Sequence, residues 1–131
     1  MKILHIILKV LLSLMLVMPV VGSFGVFPAP TRDLYNTDLG FAFIQILMDV
    51  AYINYMMAIV MVVALIALWT KREALAALLL APLTANIVGF HAFVDGGLLT
   101  AGAMMGNFLL VLNIYFLWKN REQYNTLLKS S

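Results

Sequence analysis

Four long apolar stretches alternate with short polar connections along this chain. They occupy approximately residues 9–27, 55–70, 73–93 and 98–118, and the first could begin near Ile3. A helix needs about 20 apolar residues to cross the hydrocarbon core of a bilayer. The pattern therefore predicts an all-α membrane protein with four transmembrane helices in an up-and-down bundle.

The segment 38–50 has a different pattern, with polar and apolar residues on opposite faces of a helix. Asp38, Gln45 and Asp49 share one face, and apolar residues occupy another. A helix running from residue 38 to residue 70 would measure about 50 Å, which is too long for one crossing. We therefore expect a short external amphipathic helix that breaks near Tyr52–Asn54. In the simpler interpretation its acidic stripe faces water; in the alternative, Asp49 belongs to a polar site.

Charged residues are few, and their distribution predicts the orientation of the chain. The sequence is 64% hydrophobic and 11% charged, with a mean hydropathy of +1.02. Lysines and arginines cluster near the two termini and in the second connection, whereas the other two connections hold four aspartates and only Arg32. The positive-inside rule therefore places both termini in the cytoplasm. The sequence has no stripe of basic residues of the kind that binds nucleic acid, so we do not expect a nucleic-acid partner. The expected partner is the lipid bilayer.

The N-terminal stretch also resembles a cleavable signal peptide, with Lys2 as its basic flank and Val21–Ser23 as the cleavage site. Its apolar run is long for that role, which favours a retained first span.

The chain contains no cysteine, which excludes thiol–disulfide exchange and iron–sulfur ligation by its own residues. Its two histidines, His5 and His91, are predicted at opposite membrane faces, so they cannot be the two axial ligands of one haem. The residues show no metal site and no evident cofactor. They also show no nucleophile–base pair or phosphate loop, so we do not expect this chain to be catalytic alone.

Small residues recur at four-residue spacing in the last two apolar stretches. Such spacing lets helix backbones approach closely within a bilayer. We expect the two rows of small residues to pack together, with Asn86 and Asn113 as polar links on or beside the seam. The alternative is that the second row serves a homo-oligomer or a partner helix. The first row is Ala77, Ala81, Ala85 and Gly89, and the second is Gly102 and Gly106.

Polar residues of these two stretches are the candidates for a functional site. Asn86 is predicted near mid-membrane, and His91 and Asp95 lie one helical turn apart near the outer surface. A buried histidine–aspartate pair could relay protons or donate a hydrogen bond to a quinone carbonyl. From the chemistry alone we favour a structural interpretation. In this interpretation His91 and Asp95 form an interfacial pair that ends a helix before the Gly96-Gly97 turn.

Two segments in the second half of the chain carry distinctive motifs. Leu75–Asp95 reads LAALLLAPLTANIVGFHAFVD, in which a leucine- and alanine-rich run leads to a proline, an Asn-Ile pair, a Phe-His pair and a short acidic turn. Leu109–Leu128 reads LLVLNIYFLWKNREQYNTLL. Both segments resemble the DoxX-like family of small membrane proteins, the second being similar to the last span of that family. In the second half of the chain the resemblance lies in sequence motifs, and in the first half it lies only in the arrangement of the apolar stretches. The positions of this chain that match the motifs of the family are Pro82, Asn86, His91 and Asn113.

The resemblance implies a four-helix protein of the bacterial inner membrane. Members of the family are linked to a thiosulfate:quinone oxidoreductase subunit, and one relative joins an oxidoreductase complex whose soluble partners handle thiols and superoxide. Many members carry a glutamate within the second span, where this chain has Val60 and Met61, and its nearest acidic residue is Asp49. Because the chain has no cysteine, any sulfur chemistry would belong to a partner.

Two functions follow from the residues and the resemblance together. The first is a non-catalytic accessory subunit that anchors or assembles a larger membrane complex, through other membrane proteins or as a homo-oligomer. The resemblance implies that this complex is redox-linked. The alternative is a quinone-interacting subunit of a membrane oxidoreductase, with His91 as the hydrogen-bond donor and the Asn86/Asn113 region lining an apolar slot. A small-solute transporter is a weaker alternative, because four spans without an inverted repeat do not form a usual transport path.

Overall fold

The computed structural model describes residues 1–130, and all regular secondary structure within that range is helical. This confirms the all-α class. The helices are α1 (Lys2–Gly22), α2 (Asp38–Val50), α3 (Tyr52–Trp69), α4 (Glu73–Phe93), α5 (Ala103–Lys119) and α6 (Arg121–Leu128). A 3-10 turn at Arg32–Leu34 precedes α2. Three helices, α1, α3 and α4, are long and apolar enough to cross a membrane, which indicates a membrane protein, whereas α5 is apolar but shorter.

The helix bounds coincide with the predicted ones for α2 and α4 and differ at α1, α3 and α5; α3 begins at Tyr52 rather than residue 55. Helix α1 ends at Gly22, well before residue 27, because the chain turns at Gly25 with a φ of 74°. Helix α5 begins at Ala103 rather than residue 98, because Gly96 and Gly97 adopt φ values of 92° and 108° and further turns follow them. The predicted bounds of the last two stretches leave only residues 94–97 between them, which is wrong, because residues 94–102 form the connection.

Helices α2 and α3 are separated by a sharp break at Ala51, one residue before the predicted position. Ala51 has a φ of 59°, in a region that L-amino acids rarely adopt. Its amide still donates to the Leu47 carbonyl at 3.0 Å, and the Asn54 side chain donates to the same carbonyl at 3.2 Å. These bonds satisfy the end of α2 while the chain changes direction.

Buried residues of α1, α3, α4 and α5 form one apolar cluster. Small residues on α3 and α4 bring these two helices close together, and Leu12 and Leu16 of α1 fill the space beside them. Phe116 of α5 is fully buried at one end of the cluster. The buried members are Leu12, Leu16, Met61, Ala64, Ala67, Leu68, Ala76, Ala77, Leu80, Leu109, Leu112 and Phe116.

The helices bring charges of opposite sign to their two ends. The beginning of α1, the α3–α4 connection and the end of α5 meet at one end, where Tyr124 of α6 also donates to the Ala74 carbonyl at 2.8 Å. We call this the basic end; its charged residues are Lys2, Lys9, Lys71, Arg72, Lys119, Arg121 and Lys129, with Glu73 and Glu122. The opposite, acidic end carries Arg32, Asp33, Asp38, Asp49 and Asp95.

Candidate functional site

Asp95 is the most deeply buried charged residue of the acidic end, with 1% of its surface exposed. It lies two residues beyond the end of α4, and its carboxylate accepts hydrogen bonds from the first loop, which joins α1 to α2. The backbone amides of Asn36 and Thr37 donate to Oδ1 at 2.9 and 3.2 Å, and the Asn36 side chain donates to Oδ2 at 3.2 Å. Asp95 therefore fixes the first loop against the end of α4.

Thr37 and Gly40 strengthen this junction. The Thr37 hydroxyl donates to the Val94 carbonyl at 2.6 Å and accepts from the Gly40 amide at 2.8 Å, which caps the N-terminus of α2. A β-carbon at Gly40 would lie 2.9 Å from Cγ of Asp95, so only glycine permits this approach. Burial, and secondly the Asp95 carboxylate, raise the pKa of the neighbouring Tyr35, which stays neutral.

His91 lies beside Asp95 without completing a hydrogen bond to it. The distance from Nδ1 of His91 to Oδ2 of Asp95 is 3.8 Å, which is too long for a hydrogen bond. Within residues 1–130, this Nδ1 atom is buried and has no partner. The Asp95 oxygens instead accept from the loop, so the pair is a close contact rather than a formed relay.

The other edge of the His91 ring faces the two glycines of α5. A β-carbon at Gly102 would lie 3.7 Å from Cε1 of His91, and one at Gly106 would lie 3.5 Å from Cδ2. At Gly106 it would also lie 3.0 Å from Ile87, closer than side chains usually pack. The row of small residues on α5 therefore makes room for His91 and Ile87 of α4.

The predicted row on α4 does not follow the seam with α5. Ala77 is buried there, but Ala81 is only half-buried, Ala85 is exposed and Gly89 has open space beyond it. Four residues advance a helix by about 400°, so each step rotates the row by about 40° and carries it out of the interface. This corrects the expectation that the two rows pack along their whole length. The seam instead follows Ala77, Leu80, Thr84, Ile87 and His91.

Asn113 and Asn86 lie in different environments. Asn113 is buried, donates to the Ala77 carbonyl at 2.9 Å and accepts from the Thr84 hydroxyl at 2.8 Å. It therefore links α5 to α4, with Thr84 as a partner that the sequence pattern does not single out. Asn86 lies exposed on the outer face of α4, and Asp49 lies exposed in the last turn of α2. The structure brings His91 and Asp95 together and leaves Asn86 and Asp49 apart from them.

An apolar groove of about 550 Å³ runs between α1, α4 and α5, with His91 as its ionisable residue. Leu14 and Met18 of α1 and Met105 and Phe108 of α5 form its walls. The Nε2 atom of His91 lies on the Gly106 side of the ring. Such a groove fits an apolar molecule that places one polar group at the acidic end.

A second polar cluster, at the basic end, surrounds Glu73 at the start of α4. Its Oε1 atom accepts from Nε2 of His5 at 2.9 Å and from Nζ of Lys9 at 3.0 Å, and its Oε2 atom lies 3.5 Å from Nζ of Lys119. The Tyr115 hydroxyl lies 3.2 Å from Nδ1 of His5. Because two ammonium groups share one carboxylate, the cluster carries net positive charge.

This cluster extends to α3 through Trp69. The Lys9 ammonium lies 4.9 Å from the centre of the Trp69 ring, and the Trp69 indole donates to the Ser13 hydroxyl at 2.9 Å. Sequence patterns do not predict this cluster around Glu73, although the sequence of α1 contains one indication of it. His5 and Lys9 share a face at four-residue spacing, and a lysine in an apolar helix requires a partner.

The described residues contain no group of three or more histidine, cysteine, aspartate or glutamate side chains that could hold a metal ion. Comparison with known protein families, with curated proteins and with solved structures found no match to this chain.

Proposed function

We propose that this chain is a non-catalytic accessory subunit that anchors or assembles a larger membrane complex. In this proposal α1, α3, α4 and the shorter α5 each cross the bilayer and form a four-helix up-and-down bundle. The excess of lysine and arginine at the basic end supports a cytoplasmic location for both termini. A bacterial inner membrane is the compartment implied by the DoxX-like resemblance.

The observation that carries the proposal is the outer face of α4. Pro82, Ala85 and Asn86 are exposed there, and Gly89 has open space beyond it. Asn86 lies close to the middle of the helix, and its amide makes no side-chain hydrogen bond among residues 1–130. An amide without a partner is costly in hydrocarbon, and small residues beside it permit close approach of another helix.

The partner would be a membrane protein with a polar group opposite Asn86. A second copy of this chain satisfies the same chemistry, since two asparagine amides can donate to and accept from each other. A redox-linked complex is the context implied by the resemblance at Pro82, Asn86, His91 and Asn113. Membership of the DoxX-like family is part of the proposal.

The test is native purification in a mild detergent, with blue native electrophoresis and mass spectrometry of the eluate. Wild-type protein is expected in a complex, and Asn86→Leu is expected to release it. Val111→Leu is the matched control, because Val111 is exposed on α5 and its substitution changes no polar group. A wild-type protein that purifies as a lone monomer, or a complex that survives Asn86→Leu intact, would contradict the proposal.

The groove beside His91 favours a second candidate function, the binding of a quinone. The apolar walls fit an isoprenoid tail, and a His91 ring nitrogen can donate to a quinone oxygen at the acidic end. Lipid extraction of purified protein should then recover quinone from the wild type and much less from His91→Ala. His5→Ala, at the opposite end, should retain it. Wild-type protein without quinone would refute this candidate.

A further inference from the structure

A separate groove lies at the basic end, between the first turns of α1 and the last turns of α5. Its volume is about 550 Å³, similar to that of the groove beside His91, but it contains two lysines. It is lined by Met1, Lys2, His5, Ile6, Tyr115, Trp118 and Lys119.

The polar part of this groove attracts anions. Lys2 is exposed, and Lys119 keeps 39% of its side chain exposed although it lies near Glu73. The single carboxylate of Glu73 is shared with Lys9, so it does not neutralise both lysines of the cluster. The Tyr115 hydroxyl adds a neutral hydrogen-bonding group beside His5.

The apolar part of the groove continues along the outside of the helices. Ile6 and Trp118 are 54% and 63% exposed, and both line the same groove as the lysines. Tryptophan is enriched where the hydrocarbon core meets the head groups. A free phosphate ion would use only the lysines, whereas a phospholipid would use the lysines and the apolar wall together.

We propose that this groove binds an anionic phospholipid. Its phosphate lies near Lys2 and Lys119, and its acyl chains extend past Ile6 and Trp118. Basic pockets between transmembrane helices hold anionic head groups in this manner. The proposal is independent of the partner interface at Asn86 and of the groove beside His91.

The test uses the full chain carrying Trp69→Phe, which leaves Trp118 as the only tryptophan. The protein is reconstituted into phosphatidylcholine vesicles that contain either dibrominated phosphatidylglycerol or dibrominated phosphatidylcholine at the same mole fraction. Bromine quenches a tryptophan that it contacts. Phosphatidylglycerol is expected to quench Trp118 more strongly, and the ratio of the two quenching constants reports the preference for the anionic lipid.

Lys2→Gln is the first variant, because Lys2 is exposed and outside the Glu73 cluster, so its loss should not disturb folding. One lysine near a head group contributes about a fivefold preference for anionic lipid, and the ratio should fall by about that factor. Lys119→Gln should lower it similarly. Lys129→Gln removes the same charge outside the groove and should leave the ratio unchanged.

Three outcomes would overturn the proposal. The first is equal quenching by both lipids in the parent protein, and the second is an equal fall in Lys2→Gln and Lys129→Gln, which would indicate a diffuse surface potential. The third is loss of the preference on addition of millimolar inorganic phosphate but not of sodium chloride at the same ionic strength. That result would identify a site for free phosphate instead of a lipid site.

Discussion

Replacing Asp95 by alanine should destabilise the fold, because this carboxylate holds the first loop and α2 against the end of α4. Its two backbone donors, the amides of Asn36 and Thr37, would lose their acceptor. The neighbouring hydrogen bond from the Thr37 hydroxyl to the Val94 carbonyl would remain. Asp95→Ala therefore removes the hydrogen bonds that connect the first loop to the end of α4.

The magnitude follows from these bonds. A hydrogen bond to a charged group contributes about 1.5–3 kcal/mol, and two backbone bonds are lost. Asn36 is exposed, so water can replace part of what its amide loses. We therefore expect the free energy of unfolding to fall by about 2–4 kcal/mol for Asp95→Ala. Asp95→Asn keeps a neutral acceptor of the same size and should lose about half as much.

The assay is reversible unfolding in mixed micelles with increasing dodecyl sulfate, followed by far-ultraviolet circular dichroism. Asp49→Ala is the matched control, because Asp49 is an exposed aspartate of the same end. Its free energy of unfolding should change by less than about 0.5 kcal/mol. If Asp95→Ala were as stable as Asp49→Ala, the Asp95 carboxylate would not hold the first loop in place, and a role in proton transfer with His91 would be the better explanation.

The same titration tests three further predictions. Gly106→Ala should lower the free energy of unfolding by about 1–3 kcal/mol, because the added β-carbon meets the side chains of α4. Gly89→Ala is the control, and because open space lies beyond Gly89 this variant should be as stable as the wild type or slightly more stable. Equal effects of the two substitutions would contradict the described packing of α5 against α4. Asn113→Leu should lower the free energy of unfolding by about 1–2 kcal/mol, because two buried hydrogen bonds between α5 and α4 are lost. Asn125→Leu, on the exposed α6, should leave the free energy of unfolding almost unchanged. Equal losses in the two variants would refute the link between α4 and α5. Ala51→Gly should raise stability by up to about 1 kcal/mol by relieving the positive φ, and a loss of stability would show that the break lies elsewhere.

The sequence predicts helix positions well where a polar signal marks the boundary. The bounds of α2 are visible because Thr37 caps it and Asp38 follows, and Glu73 marks the start of α4. The bounds of α1 and α5 are not visible from hydropathy, because apolar residues continue beyond Gly22 and before Ala103. In both places glycines with positive φ turn the chain, which an average over side-chain hydropathy does not detect.

The candidate sites are less predictable from the sequence, because their partners are distant along the chain. One-turn spacing places Asp95 beside His91, but the hydrogen bonds of Asp95 come from the loop around Asn36. Glu73 follows a short connection in the sequence, although it contacts His5 from the beginning of the chain and Lys119 from the end of α5. Local periodicity shows which residues share a helix face, and only the packed structure shows which faces meet.

In the proposed arrangement, four crossings of the bilayer separate the basic end from the acidic end, and the other proposals depend on this separation. Because the chain has no cysteine, single cysteines at Ile3, Ala29, Leu99 and Ser130 can be labelled in intact cells with a maleimide that does not cross membranes. We predict labelling at Ala29 and Leu99, and labelling at Ile3 and Ser130 only after the membrane is opened. Labelling of Ile3 and Ser130 from opposite sides, or of Ala29 and Leu99 from opposite sides, would contradict the four-span arrangement.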